Sequence, residues 1–545
     1  MYENIDMKKR YISLLFAAAC LSLNSCIGDL DTLPLNESDF TSEDAYSTPE
    51  SYLSGLSKIY YNFANTEDLA VEDGGASEVI RAFWTLQEIS SDGCKCAWAN
   101  DSWVNDINNN NWSDADNAAT YAVYARSLHG ITYVNEFLRQ STDSRLSDRG
   151  IGGADVEKIH SYRSEARFLR AYLYWMAMDI FGDVPFVTED SPFGAYSPAQ
   201  KPRKEVFEYI ESELLDLTKA EAKMPAARSN YPRADIGAVW GLLARLYLNA
   251  EVYTGTARWA DAKKACEEVF ALGYDLCPSY ADLFRGDNGQ NPEARQELMF
   301  TIDYEAFKTQ SYGGTSYLAF ASIAATDKYT TLLGINNGWG GIRVPYEYAR
   351  DYFNVSDPDY ENGTYKCSDK RGQLFYIKGR KETMENIDDF NSGWSLFKYN
   401  NIPHDKTGAE YESEAQQCAY SNIDFPCIRL GEIYLIYAEA VLNMGSGNDA
   451  TAVGYLNDLR QRAGLGTIDN FNQDYLIAER ARELMWEGHR RTDLIRWNKF
   501  TSGSFVWRYK GGSYDGQTFP DYKKIFAIPS SELAANTKLV QNPGY

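Results

Sequence analysis

Segments in which apolar side chains recur with the spacing of an α-helix occur in pairs in two separate parts of this chain. Leu430, Ile433 and Tyr437, for example, fall on one helical face, and Gly445 marks the end of that helix. Because turns join these helices in sequence, their arrangement suggests degenerate tetratricopeptide-like stacking. The helices are expected at about 116–140, 157–181, 203–222, 234–252, 259–272, 429–444, 449–463 and 473–488.

The remainder of the chain shows other patterns. Thr48 and Pro49 predict the start of a further helix, as its N-cap and its first helical residue. Two long stretches, about 64–115 and 273–427, are loop-rich, and the second also contains short strands. We therefore expect a mainly α fold in which tetratricopeptide-like helix pairs pack against a loop-rich half with short strands. A single domain should span residues 26–545.

The first 25 residues have the layout of a secretory signal peptide. Basic residues 8–10 precede an apolar run, 11–23, that is shorter than the roughly 20 residues needed to cross a bilayer. Residues 23–26 (LNSC) then resemble a bacterial lipobox, in which Cys26 becomes the lipidated first residue of the mature chain. An acidic linker, 26–40, would follow this anchor. The alternative is an ordinary signal peptide with a chance cysteine near its cleavage site.

Composition and local motifs narrow the range of partners and cofactors. A formal net charge of −24 repels phosphate backbones, so we expect no nucleic acid partner. None of the four His lies in an H-E-x-x-H motif, which argues against a catalytic zinc site. Residues 287–291 (DNGQN) resemble part of a calcium loop but lack its acidic alternation, and a surface turn is the alternative. We therefore expect no cofactor, with a structural calcium as the exception.

Seven short motifs follow one another along the chain. They are 165–171 (EARFLRA), 181–185 (FGDVP), 242–248 (LLARLYL), 428–435 (IRLGEIYL), 456–460 (LNDLR), 487–494 (EGHRRTDL) and 541–545 (QNPGY). Each motif is modest alone, but together and in this order they resemble the SusD/RagB family of surface lipoproteins. The arginines within them, such as Arg245 and Arg490, are expected to pair with carboxylates between packed helices.

The resemblance to this family implies a function as well as a fold. Its members bind oligosaccharides at the outer surface of the outer membrane and have no catalytic activity. Each acts as a lid on a SusC-type TonB-dependent transporter. The expected protein is therefore a lipid-anchored, surface-exposed glycan-binding protein of the outer membrane, with a glycan and such a transporter as its partners.

The family's starch-binding member also suggests where a glycan would bind. It holds an α-glucan on an arc of aromatic rings flanked by an Asp, an Arg and an Asn. The matching positions are Asp73, Arg81, Trp98, Asp101, Tyr312 and Trp339. Cys96 stands where the family member has the first Trp of a Trp-Ala-Trp stretch, and Asp101 stands where it has an amide. An α-glucan resembling starch or malto-oligosaccharides is expected, with a differently linked glucose polymer as the alternative.

Two other classes of protein are alternatives to a glycan-capture protein. A glycoside hydrolase, or another surface enzyme acting on polysaccharide, needs two carboxylates at a fixed separation. The chain has 77 acidic residues, so a pair can always be imagined, but it shows no recognisable acid/base motif or barrel-like alternation of strands and helices. A structural or adhesin-like protein would suit the helical repeats but would leave the aromatic residues of the loops unexplained.

Overall fold

The computed structural model describes residues 45–67, 69, 74–192, 197–324, 328–446 and 449–545. The chain divides into two compact units, Met1–Ser47 and Thr48–Tyr545, and all the elements below belong to the second. The signal peptide, Cys26 and the linker lie outside the described residues, and so does Asp73. Among the described residues, no helix combines the length and the apolar composition that crossing a membrane requires.

Within the described part of the chain, the structure is mostly helical, with twenty α-helices. They are α1 (Pro49–Ala64), α2 (Val79–Glu88), α3 (Ser102–Asn108), α4 (Ala118–Gln140), α5 (Asp143–Asp148), α6 (Ala154–Phe181), α7 (Arg203–Leu217), α8 (Ile236–Leu248), α9 (Ala250–Thr254), α10 (Trp259–Ala271), α11 (Pro292–Glu297), α12 (Gly314–Phe320), α13 (Tyr329–Leu333), α14 (Tyr346–Phe353), α15 (Gly408–Ala415), α16 (Leu430–Asn443), α17 (Ala450–Arg462), α18 (Gln473–Glu483), α19 (Arg490–Arg496) and α20 (Ser530–Ala535).

The strands are short and pair into two-stranded antiparallel sheets: β1 with β5, β2 with β3, β4 with β10, β6 with β7, and β8 with β9. Their bounds are β1 (Lys95–Cys96), β2 (Val184–Pro185), β3 (Gln200–Lys201), β4 (Leu298–Ile302), β5 (Ile342–Arg343), β6 (Ser356–Asp359), β7 (Thr364–Lys366), β8 (Phe375–Tyr376), β9 (Ser395–Leu396) and β10 (Phe425–Arg429).

The helices of the repeat half follow the periodicity of the sequence. Thr48 is the N-cap of α1 and Pro49 is its first residue, as the Thr-Pro pair predicts, and Tyr52, Leu56 and Ile59 are buried on its inner face. Helix α4 packs against α6, α8 against α10, and α16 against both α10 and α17. The predicted mainly α fold, with helix pairs against a half of loops and short strands, is confirmed.

The stretch 64–115 is less loop-like than the sequence suggests, because it contains α2 and α3. All ten residues of α2 are buried, including the polar side chains of Gln87 and Glu88. Its apolar residues do recur with helical spacing, as at Val79, Phe83 and Leu86, but its polar face is also covered by other elements of the fold. Arg81 consequently lies on a buried helix and not in a loop.

Buried ion pairs fix the loop-rich half to the helices. The guanidinium of Arg429, at the end of β10, contacts carboxylates of Glu297, Glu483 and Glu487 at 2.7–2.8 Å, and all four side chains are at most 1% exposed. The pairing predicted for the family-motif arginines is also observed, at 2.7 Å for Arg245 with Glu432. These arginines hold neighbouring elements together, because their guanidinium groups already bind carboxylates inside the protein.

Candidate functional site

A short sheet brings together two segments that are distant in sequence. Strand β1 pairs with β5, so that Cys96 lies opposite Ile342. Beyond the strands, the backbone N–H of Ala97 donates to the carbonyl of Gly341 at 2.8 Å. The pairing therefore places Trp98, which follows β1, beside the loop that carries Trp339 and precedes β5.

Trp98 is half-buried and packs directly on a glycine. A Cβ built on Gly341 would lie 2.7 Å from the indole Cε2 of Trp98, closer than real Cβ contacts allow. The indole also contacts Tyr317, with ring centroids 5.9 Å apart and planes inclined by 58°. Gly341, with φ of +119°, thus leaves the room that Trp98 needs.

Tyr312 and Trp339 lie side by side with their rings inclined. Their centroids are 6.0 Å apart and their planes make an angle of 55°. Trp339 packs against Phe320 at 5.0 Å, and its backbone N–H donates to the Phe320 carbonyl at 2.8 Å. Tyr312 is 50% exposed, and Tyr420 lies next to it at 4.9 Å and 50°. We call Trp98, Tyr312, Trp339 and Tyr420 the aromatic platform.

Arg81 contacts this platform from within the protein. It is only 3% exposed, and its guanidinium carbon lies 4.3 Å from the centroid of the Tyr317 ring and 5.9 Å from that of Trp98. Its Nη1 also donates a long hydrogen bond of 3.5 Å to the carbonyl of Tyr312. These contacts make Arg81 a link between Trp98 and Tyr312, worth on the order of 1 kcal/mol per cation–π contact.

Asp101 lies at the edge of the platform. It occupies the N-cap position of α3, but its side chain makes no capping hydrogen bond, and its backbone N–H donates to the Trp98 carbonyl at 3.0 Å. Asp101 is therefore a half-buried residue joined to Trp98 through the backbone, and its side chain does not cap the helix. The structure thus brings together Arg81, Trp98, Asp101, Tyr312 and Trp339, whereas Asp73 lies outside the described residues.

Three further residues, which no sequence pattern indicates, shape this site. Tyr420 extends the platform beside Tyr312, and Tyr317 supports both Trp98 and Arg81. Glu78 is fully buried and accepts a hydrogen bond of 2.9 Å from the backbone N–H of Gly314. No local pattern marks these residues, because each contact depends on a partner far away in the chain.

The calcium-like stretch 287–291 forms a turn whose asparagines are already engaged. The Asn288 amide nitrogen donates to two backbone carbonyls, and Asn291 caps α11 by accepting from the backbone N–H of Glu293 at 2.9 Å. Asp287, His404 and Asp405 hold ligand-type atoms within 4.8 Å of one another. The Asp287 carboxylate, however, bonds to Nδ1 of His404 at 2.6 Å, and this bond raises the pKa of that imidazole. These bonds favour a surface turn.

Comparison with known proteins identifies similar chains over nearly the whole length. A family model described as "SusD family" matches residues 296–545, and one described as "Starch-binding associating with outer membrane" matches residues 69–248. The "Starch-binding protein SusD" of Bacteroides thetaiotaomicron is 32% identical over 583 residues, which covers 99% of this chain and all of that protein.

Solved structures show the same fold at lower identity. A SusD superfamily protein from Parabacteroides distasonis has a TM-score of 0.68 at 21% identity and covers 91% of this chain and 99% of its own. Surface glycan-binding protein A from Bacteroides thetaiotaomicron, in complex with laminarihexaose, has a TM-score of 0.67 at 21% identity. This match covers 90% of the present chain and 99% of the glycan-binding protein. A laminarin-binding SusD-like protein has a TM-score of 0.65 at 19% identity, and the match covers 91% of the present chain and 99% of that protein.

Proposed function

Because the chain belongs to the SusD family, we propose that it is a cell-surface lipoprotein of the outer membrane that captures an α-glucan and delivers it to a SusC-type TonB-dependent transporter. The observation that carries this proposal is the aromatic platform. Its rings are partly exposed, they are held by neighbouring aromatic residues, and they present apolar faces of the kind on which sugar rings stack.

The inclination of the rings supports a curved glycan as the ligand. Trp339 and Tyr420 are inclined by 55° and 50° to Tyr312, which lies between them. A ligand that stacks on successive faces must turn along its length, as the helical chain of an α-glucan does and a flat ribbon does not. The similarity to a protein named for starch binding points to the same class of ligand.

The geometry also favours binding over catalysis. A glycosidase requires two carboxyl groups about 5–10 Å apart that are free to exchange protons with the substrate. Asp101 is a half-buried carboxylate at the platform, but Glu78 is fully buried and accepts hydrogen bonds from the protein. A hydrolytic pair built from these two groups would lack a second carboxylate within reach of the sugar.

Titration of the purified protein with a panel of glucans tests this function. We expect an α-glucan such as amylopectin, pullulan or dextran to bind with a Kd of roughly 10 μM to 1 mM, since few rings can stack on such a surface. Preference for laminarin or cellulose over every α-glucan would contradict the proposed linkage class but not glycan capture. Release of shorter sugars by the pure protein would contradict a purely binding role.

Delivery to a transporter is tested separately. The intact lipoprotein, extracted in mild detergent from its native membrane, should co-purify with a TonB-dependent outer-membrane protein. Its isolation without any such protein, under conditions that preserve other outer-membrane complexes, would contradict that part of the proposal.

A further inference from the structure

A buried carboxylate joins the helix that carries Arg81 to the turn that carries Tyr312. Glu78 caps α2, and its Oε2 accepts a hydrogen bond of 2.6 Å from the backbone N–H of Arg81. The same oxygen accepts from the backbone N–H of Gly314 at 2.9 Å, and Oε1 accepts from the hydroxyl of Tyr304. One side chain thus satisfies three donors, and two of them, in Tyr304 and Gly314, are 226 and 236 residues away from Glu78 in sequence.

The turn that carries Tyr312 packs against this carboxylate. A Cβ built on Gly313 would lie 2.5 Å from Cβ of Glu78, and one built on Gly314 would lie 2.0 Å from the Tyr304 hydroxyl oxygen. Gly314 also has φ of +44°, which L side chains rarely adopt. The two glycines after Tyr312 therefore let the backbone approach Glu78 and Tyr304 closely enough for these hydrogen bonds.

We infer that Glu78 is a positioning residue of the glycan site, whose carboxylate fixes Tyr312 relative to Arg81 and Trp98. The inference rests on the proposed function, since it concerns the same platform. The ring of Tyr312 contacts the rings of Trp339 and Tyr420. Contacts between rings are only weakly directional, so they allow one ring to shift relative to the other. The hydrogen bond from Gly314 to Glu78 is directional, and it anchors the backbone two residues after Tyr312.

Glu88 provides a matched control on the same helix. It is 2% exposed and accepts from the backbone N–H groups of Gly488 and His489 at 2.8 and 3.1 Å. Burial raises the pKa of both Glu78 and Glu88 to about 7. The two residues therefore share a helix, a degree of burial and a type of bond, but Glu88 holds a segment that carries no platform residue.

The experiment compares Glu78→Ala, Glu78→Gln and Glu88→Ala by glucan titration at a temperature where each variant is folded, together with thermal unfolding. We expect Glu78→Ala to weaken binding by about 10-fold or more, because it leaves the N–H of Gly314 without its acceptor. Glu78→Gln should restore affinity to within about 3-fold, since its amide oxygen can accept from both backbone N–H groups. Glu88→Ala should lower Tm with unchanged Kd.

Four results separate the possibilities. Equal Kd values for Glu78→Ala, Glu88→Ala and the wild type would overturn the inference, and so would a Glu78→Gln variant that binds as weakly as Glu78→Ala. If Glu78→Ala does not fold, Glu78→Asp takes its place: the shorter side chain withdraws the carboxylate from Gly314 and should weaken binding, and unchanged binding would overturn the inference. A wild type that binds no glucan would instead refute the proposed function.

Discussion

The indole of Trp98 lies against the α-carbon of Gly341, so closely that a methyl group at Gly341 would come within 2.7 Å of the ring. We predict that Gly341→Ala weakens glucan binding by about 10-fold or more, because the methyl group must displace Trp98 from the platform. Glucan titration measures the loss, and the change in tryptophan fluorescence on adding glucan reports the state of the ring.

Gly379→Ala is the matched control for that substitution. Gly379 also has a positive φ, +72°, but a Cβ there meets nothing within 4 Å. Alanine at this position should therefore cost only backbone strain, about 1 kcal/mol of stability, and leave binding unchanged. Similar affinities for the two variants would show that Trp98 does not depend on Gly341 or does not contact the glycan.

The tryptophans of the platform should matter for binding more than for stability. We predict that Trp98→Ala and Trp339→Ala each weaken glucan binding by about 10- to 150-fold, the equivalent of losing roughly 1.5–3 kcal/mol of apolar contact with a sugar ring. Both residues are half-buried, so some loss of stability is also expected. Isothermal titration and thermal unfolding of each variant give the two effects separately.

Trp394→Ala serves as the comparison for a core tryptophan. Trp394 is fully buried and packs against Tyr346, Tyr365 and Phe375. Its removal should lower the free energy of unfolding by about 3–5 kcal/mol and leave the Kd of the folded protein unchanged. If Trp98→Ala or Trp339→Ala also loses about 3–5 kcal/mol of stability with an unchanged Kd, that tryptophan belongs to the core and does not bind the glycan.

The membrane anchor is open to a direct test. We predict that Cys26→Ala moves the protein from the membrane fraction to the soluble fraction, because the cysteine thiol is the group to which the lipid would be attached. Membrane fractionation followed by immunoblotting measures the distribution. Full retention of the variant in membranes of cells that lack the transporter would contradict lipidation at Cys26.

The helices of the repeat half could be predicted from sequence because one face of each is apolar and the other is not. Helix α16 was expected at 429–444 and spans Leu430–Asn443. Helix α18 was expected to reach residue 488 but ends at Glu483, because the chain then turns through positive φ at Trp486 and Gly488. Periodicity shows where a helix can form, but the backbone conformations of the following residues decide where it ends.

The site was predictable only in part. The resemblance to a family supplied Trp98, Tyr312 and Trp339, and the structure brings these rings together. The resemblance could not show that Arg81 is buried. That burial arises because other elements of the fold cover α2 on every side. Nor could the resemblance supply Glu78, whose hydrogen bond with Gly314 joins residues 236 positions apart in sequence. Such contacts depend on tertiary structure and leave no local pattern in the sequence.

Buried carboxylates that are paired with arginine should make stability sensitive to acid. Burial alone opposes ionisation of Glu479, but the guanidinium groups of Arg371 and Arg482 outweigh it and lower its pKa from 4.5 to about 2. Neighbouring arginines likewise hold the pKa of Glu483 and Asp493 well below the usual range. Because these groups ionise more readily in the folded state, the unfolded chain binds more protons below pH about 4.5.

We therefore predict that the stabilisation from Glu479 is complete above pH about 4.5 and is lost as the pH falls towards about 2, with a total effect on the order of 3 kcal/mol. Urea unfolding followed by circular dichroism between pH 7 and pH 3 should show a midpoint that falls steeply below pH 4.5. Glu479→Gln should lower the midpoint at pH 7, because it leaves buried arginine charge uncompensated, and should reduce the slope in acid. A slope identical to that of the wild type would show that Glu479 does not titrate in this range.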